Sequence, residues 1–363
     1  MIPEQNGPDN APDNADAVTV ANGPRGTRRG YTVVGGGAIG GTLAFHLVRA
    51  GHPVLVVDTD PDHVAALNVD GLTLVGPEGE ETVPVRAVTP EHAAGHGPFH
   101  RVLLCVKAQA TEAATAPLAP HLAPDGFVVS LQNGLNEDTV AGLVGPQRTV
   151  GAFVNLFADV LGPGRIHDGG AGALVVGETD GSPSARVDEV VTDLRAWGPA
   201  RATRNVTGHL WSKLGFGAML SATALADAPM AALVDRHRDL MHALAAEVFA
   251  VAAAEGVALE PFDAFTPAAY LPTADPAARH AATDRLTRWL AGQSKDRSGI
   301  WRDIAVRRRR TEVPTHYRPV LDRAARLGIG VPGLERLVAQ IGELEGGAPM
   351  SERRIADLAG VPR

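Results

Sequence analysis

Tyr31-Thr32-Val33-Val34-Gly35-Gly36-Gly37-Ala38-Ile39-Gly40-Gly41 reads as a strand that runs into a glycine turn and out into a helix continued by Leu43, Phe45 and Leu47. In such a unit Gly35 permits the tight turn and Gly37 lets the backbone approach a pyrophosphate. Gly40 lets the helix pack closely on the strand, and the free N–H groups at the helix start, around Ala38 and Ile39, meet the phosphate. Glycine spacing alone is weak evidence. The next apolar run, Pro53-Val54-Leu55-Val56-Val57, adds specificity because it ends in Asp58, eighteen residues beyond Gly40, where a carboxylate accepts hydrogen bonds from adenosine ribose hydroxyls. A carboxylate there also repels a 2′-phosphate, and no arginine or lysine follows until Arg86, so Asp58 favours NAD. The competing role for Asp58 is a helix cap, shared with Thr59, Asp60 and Asp62.

Outward from this unit, short apolar runs alternate with amphipathic segments, as in a parallel sheet covered by helices. Strands are expected at 31–35, 53–58, 72–76, 82–88, 101–106, 126–131, 150–155 and 173–177, and helices at 38–50, 61–68, 110–122, 136–143 and 183–196. Beyond about residue 207 the strand runs stop and alanine- and leucine-rich periodic segments take over, with helices expected at 207–226, 229–236, 238–255, 277–294, 301–326 and 332–345. The expected fold class is therefore α/β: an N-terminal Rossmann doubly wound sheet over residues 30–206, followed by an all-α domain over 207–346. Residues 1–29 hold Pro3, Pro8, Pro12 and Pro24 and almost no large apolar side chain, so they read as a disordered tail. Residues 347–363 read as a C-terminal tail.

Two domains also suit a length of 363 residues. Apolar residues at 45% and charged residues at 20% are ordinary for a globular protein. A net charge of −8 argues against a nucleic-acid partner, which needs a positive face. No apolar run is long enough to span a bilayer, and the amino terminus lacks a basic segment followed by an apolar one. The expectation is a cytoplasmic protein with no membrane partner. The single cysteine, Cys105, lies in Val102-Leu103-Leu104-Cys105-Val106 and reads as a small buried hydrophobe. Thirteen histidines are scattered without a paired ligand spacing, so no metal is expected. The run Arg307-Arg308-Arg309-Arg310 is expected to spread around a helix, pairing acids or facing water.

Four further motifs follow the glycine turn in order: Val106-Lys107-Ala108, Leu131-Gln132-Asn133-Gly134, Trp211-Ser212-Lys213-Leu214 and Arg310-Thr311-Glu312. In this order they resemble the ketopantoate reductase family, over about residues 30–345. The resemblance implies a Rossmann domain joined to a helical one, with the active site in the cleft between. It implies hydride transfer between a nicotinamide cofactor and a small-molecule 2-oxo acid, 2-dehydropantoate to pantoate or a related ketone/alcohol pair. By resemblance the cofactor is NADP, where Asp58 favours NAD. Lys213 maps to the general acid that protonates the carbonyl oxygen. Hydride addition builds an alkoxide, so a cationic donor lowers the barrier by charge and by proton transfer, and lysine suits the task if burial lowers its pKa. Lys213 does sit on an otherwise apolar segment, Leu210 to Phe216.

Asn133 resembles the asparagine that helps hold substrate and nicotinamide, although Asn-Gly is also turn chemistry. Lys107 resembles a lysine near the cofactor phosphates or ribose, or is a surface lysine at a strand end. Glu312 resembles the glutamate that binds the substrate hydroxyl, and Ser298 lies near the carboxylate-binding serine. The family carries asparagines four and eight residues after its lysine, where this chain has Gly217 and Ser221. Both positions share the face of Lys213 and so belong to the substrate pocket. Glycine at 217 either admits a bulkier substrate or lets a neighbouring helix approach. A non-catalytic NAD(H)-binding sensor is the alternative reading, though a sensor has no need of Lys213, Asn133 and Glu312 together. The long apolar helices are compatible with a homodimer, by analogy with other two-domain oxidoreductases.

Overall fold

The computed structural model describes residues 29–170, 172–293 and 295–360. Residues 1–28, most of the expected N-terminal tail, lie outside the described residues. Twelve strands are described: β1 (Tyr31–Val34), β2 (Val54–Val57), β3 (Leu72–Gly76), β4 (Gly79–Val83), β5 (Arg86–Val88), β6 (Phe99–Leu104), β7 (Leu122–Ser130), β8 (Thr149–Asn155), β9 (Ala158–Gly162), β10 (Arg165–Asp168), β11 (Ala173–Glu178) and β12 (Ala200–Ala202). Eight of them form one sheet in the order β12-β11-β8-β7-β6-β1-β2-β5. Every pairing in it is parallel except β11 with β8. The run β5-β2-β1-β6-β7-β8 is the doubly wound Rossmann order, which reverses direction between β1 and β6.

Both faces of this sheet are covered, and the period-2 geometry of strands sorts the side chains accordingly. Val33, Leu103 and Val129 point into one apolar layer, with Leu43 and Leu47 of helix Ala38–Arg49. Their neighbours Val34, Leu104 and Val128 point into the opposite layer, with Val140 of helix Glu137–Val144. A second sheet, β4-β3-β10-β9, packs against helix Ala38–Arg49, with Ile166 of β10 lying over Gly41.

After β12 the chain is helical from Val206. Helix Val206–Thr223 is capped by Asn205, whose side chain accepts from the Gly208 N–H at 3.0 Å. It packs on helix Arg238–Ala254, where the Phe249 ring fills the space beside Gly215. One core, including Trp211, Phe216, Phe249, Phe265 and Tyr317, holds the helical part together.

Several local expectations are corrected. The single strand expected at 82–88 is two strands in different sheets. Pro84, which has no N–H to donate, separates β4, paired with β3, from β5, paired with β2. Strands β9 and β10 were not expected; they are short and partly polar, and their turn is the Pro163-Gly164 pair, with Gly164 at φ +69°. The helix expected at 110–122 shrinks to Thr111–Thr115, because Pro117 and Pro120 follow. The helix expected at 301–326 is two, Gly299–Ala305 and Val313–Leu327. The arginine run falls between them, with Arg308 at φ +50°, so it does not spread around a helix. Within the expected tail 347–363, of which 347–360 are described, helix Glu352–Asp357 buries Ile355, and Leu358 after it is equally enclosed in the helical core, so residues 347–360 are not a free tail.

Candidate active site

The switch point between β1 and β6 opens into two adjoining cavities. One, of about 440 Å³, is lined by Gly35, Gly37, Asp58, Thr59, Val106 and Gln109. The other, of about 660 Å³, lies between the glycine turn and the helical part and reaches Asn133, Lys213, Ser298 and Glu312.

The glycine turn is built as the strand-turn-helix reading requires. Gly35 has φ +92°, a region that costs other residues strain. A Cβ at Gly40 would stand 1.9 Å from the Gly35 carbonyl oxygen, whereas one at Gly37 would meet nothing within 4 Å. The turn is therefore tight on the protein side and open on the cavity side. Ala38 and Ile39, the first residues of the helix, line the larger cavity. Two side chains clamp the turn from outside. Asp58 Oδ2 accepts from the Gly36 N–H at 2.6 Å. His63 accepts the Gly164 N–H at Nδ1, which leaves Nε2 to donate to the Gly36 carbonyl at 3.0 Å. Asp58 is not the cap of the following helix: Asp60 is, accepting from Asp62 N and His63 N at 3.0 and 3.2 Å. The open cradle at Gly37 beside an acid at the end of β2 fits a dinucleotide.

Lys213 lies in the second turn of helix Val206–Thr223. Its Nζ donates to Asn133 Oδ1 at 2.6 Å and to the Val154 carbonyl, and it sits 5.4 Å from the centre of the Phe153 ring. Burial pushes this ammonium down to about 8, against the pull of the Glu312 and Asp263 carboxylates. Asn133 stands in the loop after β7, where Gly134 takes φ +93°. The Asn133 carbonyl accepts from Asn136 Nδ2 at 2.8 Å, so turn chemistry and the contact with Lys213 coexist. Gln132 joins this loop to the one after β6, donating to the Val106 carbonyl at 3.0 Å and to Thr111 Oγ1 at 2.8 Å.

Glu312 precedes helix Val313–Leu327, and its Oε1 accepts from the Ala108 N–H at 3.0 Å. Burial by itself would raise its pKa, but His316 at 3.6 Å, Lys107 at 3.5 Å and the Ala108 N–H hold it at about 2. Lys107 also donates to Asp303 at 3.3 Å, so its ammonium joins the sheet to two acids of the helical part. Ser298 caps helix Gly299–Ala305 through its Oγ, which accepts from Trp301 N at 3.2 Å. Gly217 and Ser221 line the cavity one and two turns beyond Lys213. A Cβ at Gly217 would meet the Tyr317 hydroxyl at 3.0 Å, so a neighbouring helix does approach closely at this glycine, which also lines the cavity.

Asp303, Arg302, Arg307, Arg309, His316 and Tyr317 also line the cavity, and the residue reading assigned none of them. Arg307 and Arg309 both bond Asp303 at 3.0 Å, and Arg307 also pairs with Asp159. The only local signal is the spacing: Asp303 lies four residues before the arginine run, and the run turns back around it. Burial pushes the Cys105 thiol well up, so it stays protonated. Among the described residues no group of three His, Cys, Asp or Glu side chains is placed to hold a metal ion, and no helix is long and apolar enough to cross a membrane.

Residues 31–181 match the model of ketopantoate reductase PanE/ApbA, and residues 205–345 match that of its C-terminal domain. A 2-dehydropantoate 2-reductase of Mesorhizobium japonicum is 30% identical over 226 residues, covering 56% of this chain and 69% of the relative. The chain belongs to the ketopantoate reductase family. The 2-dehydropantoate 2-reductase of Halobacterium salinarum is 28% identical over 314 residues, 84% of this chain and 95% of the relative. Among solved structures, a PanE/ApbA family ketopantoate reductase from Ralstonia eutropha superposes with a TM-score of 0.73 at 29% identity, covering 87% of this chain and 99% of its own. A D-mandelate dehydrogenase with NADH and anilino(oxo)acetate shares the fold, with a TM-score of 0.75 at 18% identity, covering 87% and 98%. This ketopantoate reductase family member is an NAD(P)-dependent oxidoreductase acting on a CH–OH group, and the sensor alternative is set aside.

Proposed function

We propose that the chain reduces a 2-oxo acid, 2-dehydropantoate or a related ketone, with Lys213 as the general acid. The observation that carries this reading is the count of hydrogens on Lys213. An ammonium has three; Asn133 Oδ1 and the Val154 carbonyl take two, and the third is left for a carbonyl oxygen in the cleft. The glycine turn, open at Gly37 and with Asp58 at the end of β2, would hold a nicotinamide dinucleotide, which would supply the hydride. As the substrate oxygen gains charge, Lys213 transfers its third proton, and its depressed pKa makes that transfer favourable near neutrality. The amine left behind keeps both of its hydrogen bonds, so the group does not swing away between turnovers. Glu312 and Ser298 face the same cavity and are the polar groups we assign to the substrate, with Asn133 shared between substrate and nicotinamide. The test is consumption of reduced nicotinamide, followed by absorbance, with a panel of 2-oxo acids and both cofactors. Turnover of at least one acid is expected, and none across a broad panel overturns the reading.

We assign NAD as the preferred cofactor. The smaller cavity is lined by Asp58 and has no arginine, and its one lysine, Lys107, is held by Asp303 and Glu312. Asp58→Arg is expected to move the ratio of NADH to NADPH affinity toward NADPH by about tenfold or more, which is about 1.4 kcal/mol. The ratio is the proper readout because losing the bond to Gly36 weakens both cofactors alike. An unchanged ratio would remove Asp58 from the cofactor assignment.

A further inference from the structure

Three arginines line the larger cavity, and they are not equally engaged. Arg307 and Arg309 each hydrogen-bond Asp303 at 3.0 Å. Arg302 carries five N–H donors in a planar fork, is 27% exposed, and makes no side-chain hydrogen bond among the described residues. Its one acid is Asp159, whose Oδ2 stands 3.7 Å away, beyond hydrogen-bonding reach. Asp159 is already shared: its Oδ1 is taken by Arg307 and by the Val160 N–H at 3.2 Å, and Lys295 approaches Oδ2 at 3.9 Å. Three cations thus meet one carboxylate. The crowding is felt at Lys295, whose ammonium is lowered by burial and then by the charges of Arg302 and Arg307, against the pull of Asp159. Donors held inside a protein are normally partnered. A guanidinium in a cavity wall with its fork unused, where negative charge is short, suits an anion that arrives from outside.

The chain around Arg302 says which anion. Arg302 lies one turn after Ser298, its backbone N–H bonded to the Ser298 carbonyl at 3.2 Å, and its Nη2 would stand 3.9 Å from a Cβ on Gly299. The fork therefore lies beside Ser298, whose Oγ accepts from Trp301 N and keeps its own hydrogen to give. A hydroxyl and a guanidinium fork one turn apart match the two oxygens of a carboxylate. Resting on the reductase reading above, we infer that Arg302, beside Ser298, grips the carboxylate of the 2-oxo acid, and that Asp159 only holds the guanidinium in place until the acid arrives. Because Asp159 meets Arg302 without a hydrogen bond, little is lost in the exchange. The charge of the acid also relieves the repulsion among Arg302, Arg307 and Lys295. A neutral ester of the same acid brings neither the charge nor a pair of equivalent oxygens, so Arg302 sets the preference for the free acid.

A 2-oxo acid and its methyl ester test the inference. Wild-type kcat/KM is expected to favour the acid by roughly 10–100-fold, the worth of hydrogen bonds to a charged group. Arg302→Met is expected to raise KM for the acid and to lower the acid-to-ester ratio by about tenfold or more, with dinucleotide affinity unchanged. Arg302→Lys keeps the charge but not the fork, and its ratio is expected to fall between the two. Asp159→Asn breaks the ion pair from the other end, and there the ratio is expected to hold or rise, because the guanidinium is freed. Equal preference for acid and ester in the wild type overturns the inference. So does an unaltered ratio in Arg302→Met, or in Arg302→Lys should the methionine variant fail to fold. A fall in Asp159→Asn as large as in Arg302→Met also overturns it, since the ion pair would then be the whole task of Arg302. Weakened dinucleotide binding in Arg302→Met would assign the guanidinium to the pyrophosphate instead. Failure of the wild type to turn over any 2-oxo acid while dinucleotide still binds is a different result: it overturns the reductase reading on which the inference stands.

Discussion

Lys213→Ala lowers the rate of carbonyl reduction by roughly 10²–10⁴-fold, the usual contribution of a positioned acid, and leaves dinucleotide affinity unchanged. The two effects separate because Lys213 projects from the helical part, while the glycine turn is held by Asp58 and His63. Single-turnover reduction and dinucleotide titration on the same preparation read both. Activity retained in the variant would remove Lys213 as the acid. The pH dependence follows from the same group. The ammonium is the acid, so the reduction rate is level below pH about 8 and falls roughly tenfold per unit above it as the proton is lost. Oxidation of the alcohol needs the free amine and runs the other way, rising up to about pH 8. A reduction rate that rises through this range would contradict the assignment. Glu312, held at about 2, stays ionised across the whole window and contributes no inflection.

Gly40→Ala abolishes dinucleotide binding and destabilises the fold. The added carbon would overlap the Gly35 carbonyl oxygen at 1.9 Å, and neither partner can yield: one is in the helix, the other in a turn fixed between β1 and β6. Overpacking of this kind costs about 1–3 kcal/mol, which lowers the melting temperature by roughly 2–4 °C for each kcal/mol. Helix and strand must part to accept the carbon, and the N–H groups that face the phosphate part with them. Gly37→Ala, where a Cβ meets nothing in the protein, is the contrast: it leaves the melting temperature alone and weakens only the dinucleotide. Equal melting temperatures for the two variants would sink this account.

The sheet was legible because its strands announce themselves twice, by apolar character and by the turn that follows. Tyr31 to Gly41 specifies a strand, a turn and a helix at once, and the structure places β1 and helix Ala38–Arg49 there. Strands β9 and β10 were not legible, because most of their residues are polar or exposed, and β10 pairs with β3, far from it in sequence, while β9 joins the sheet only through β10. Lys213, Asn133 and Glu312 were found as separate motifs, and the structure brings them around one cavity. What the motifs could not convey was which groups are already engaged. Glu312 reads as a free acid until Ala108 and Lys107 are seen beside it. Gly217 reads as vacant volume until Tyr317, a hundred residues on, is found standing there. Such facts belong to tertiary contacts, and no local pattern encodes them.

The position of Lys107 has a mechanical corollary. Its ammonium springs from the segment after β6 and is tied to Asp303 and Glu312, which belong to the other lobe. Any widening of the gap between the lobes pulls unlike charges apart, so electrolyte, by weakening that tether, makes entry and departure of bound molecules easier. Higher ionic strength is therefore expected to speed dinucleotide dissociation while leaving the pH dependence set by Lys213 in place, and a dissociation rate independent of salt would contradict this.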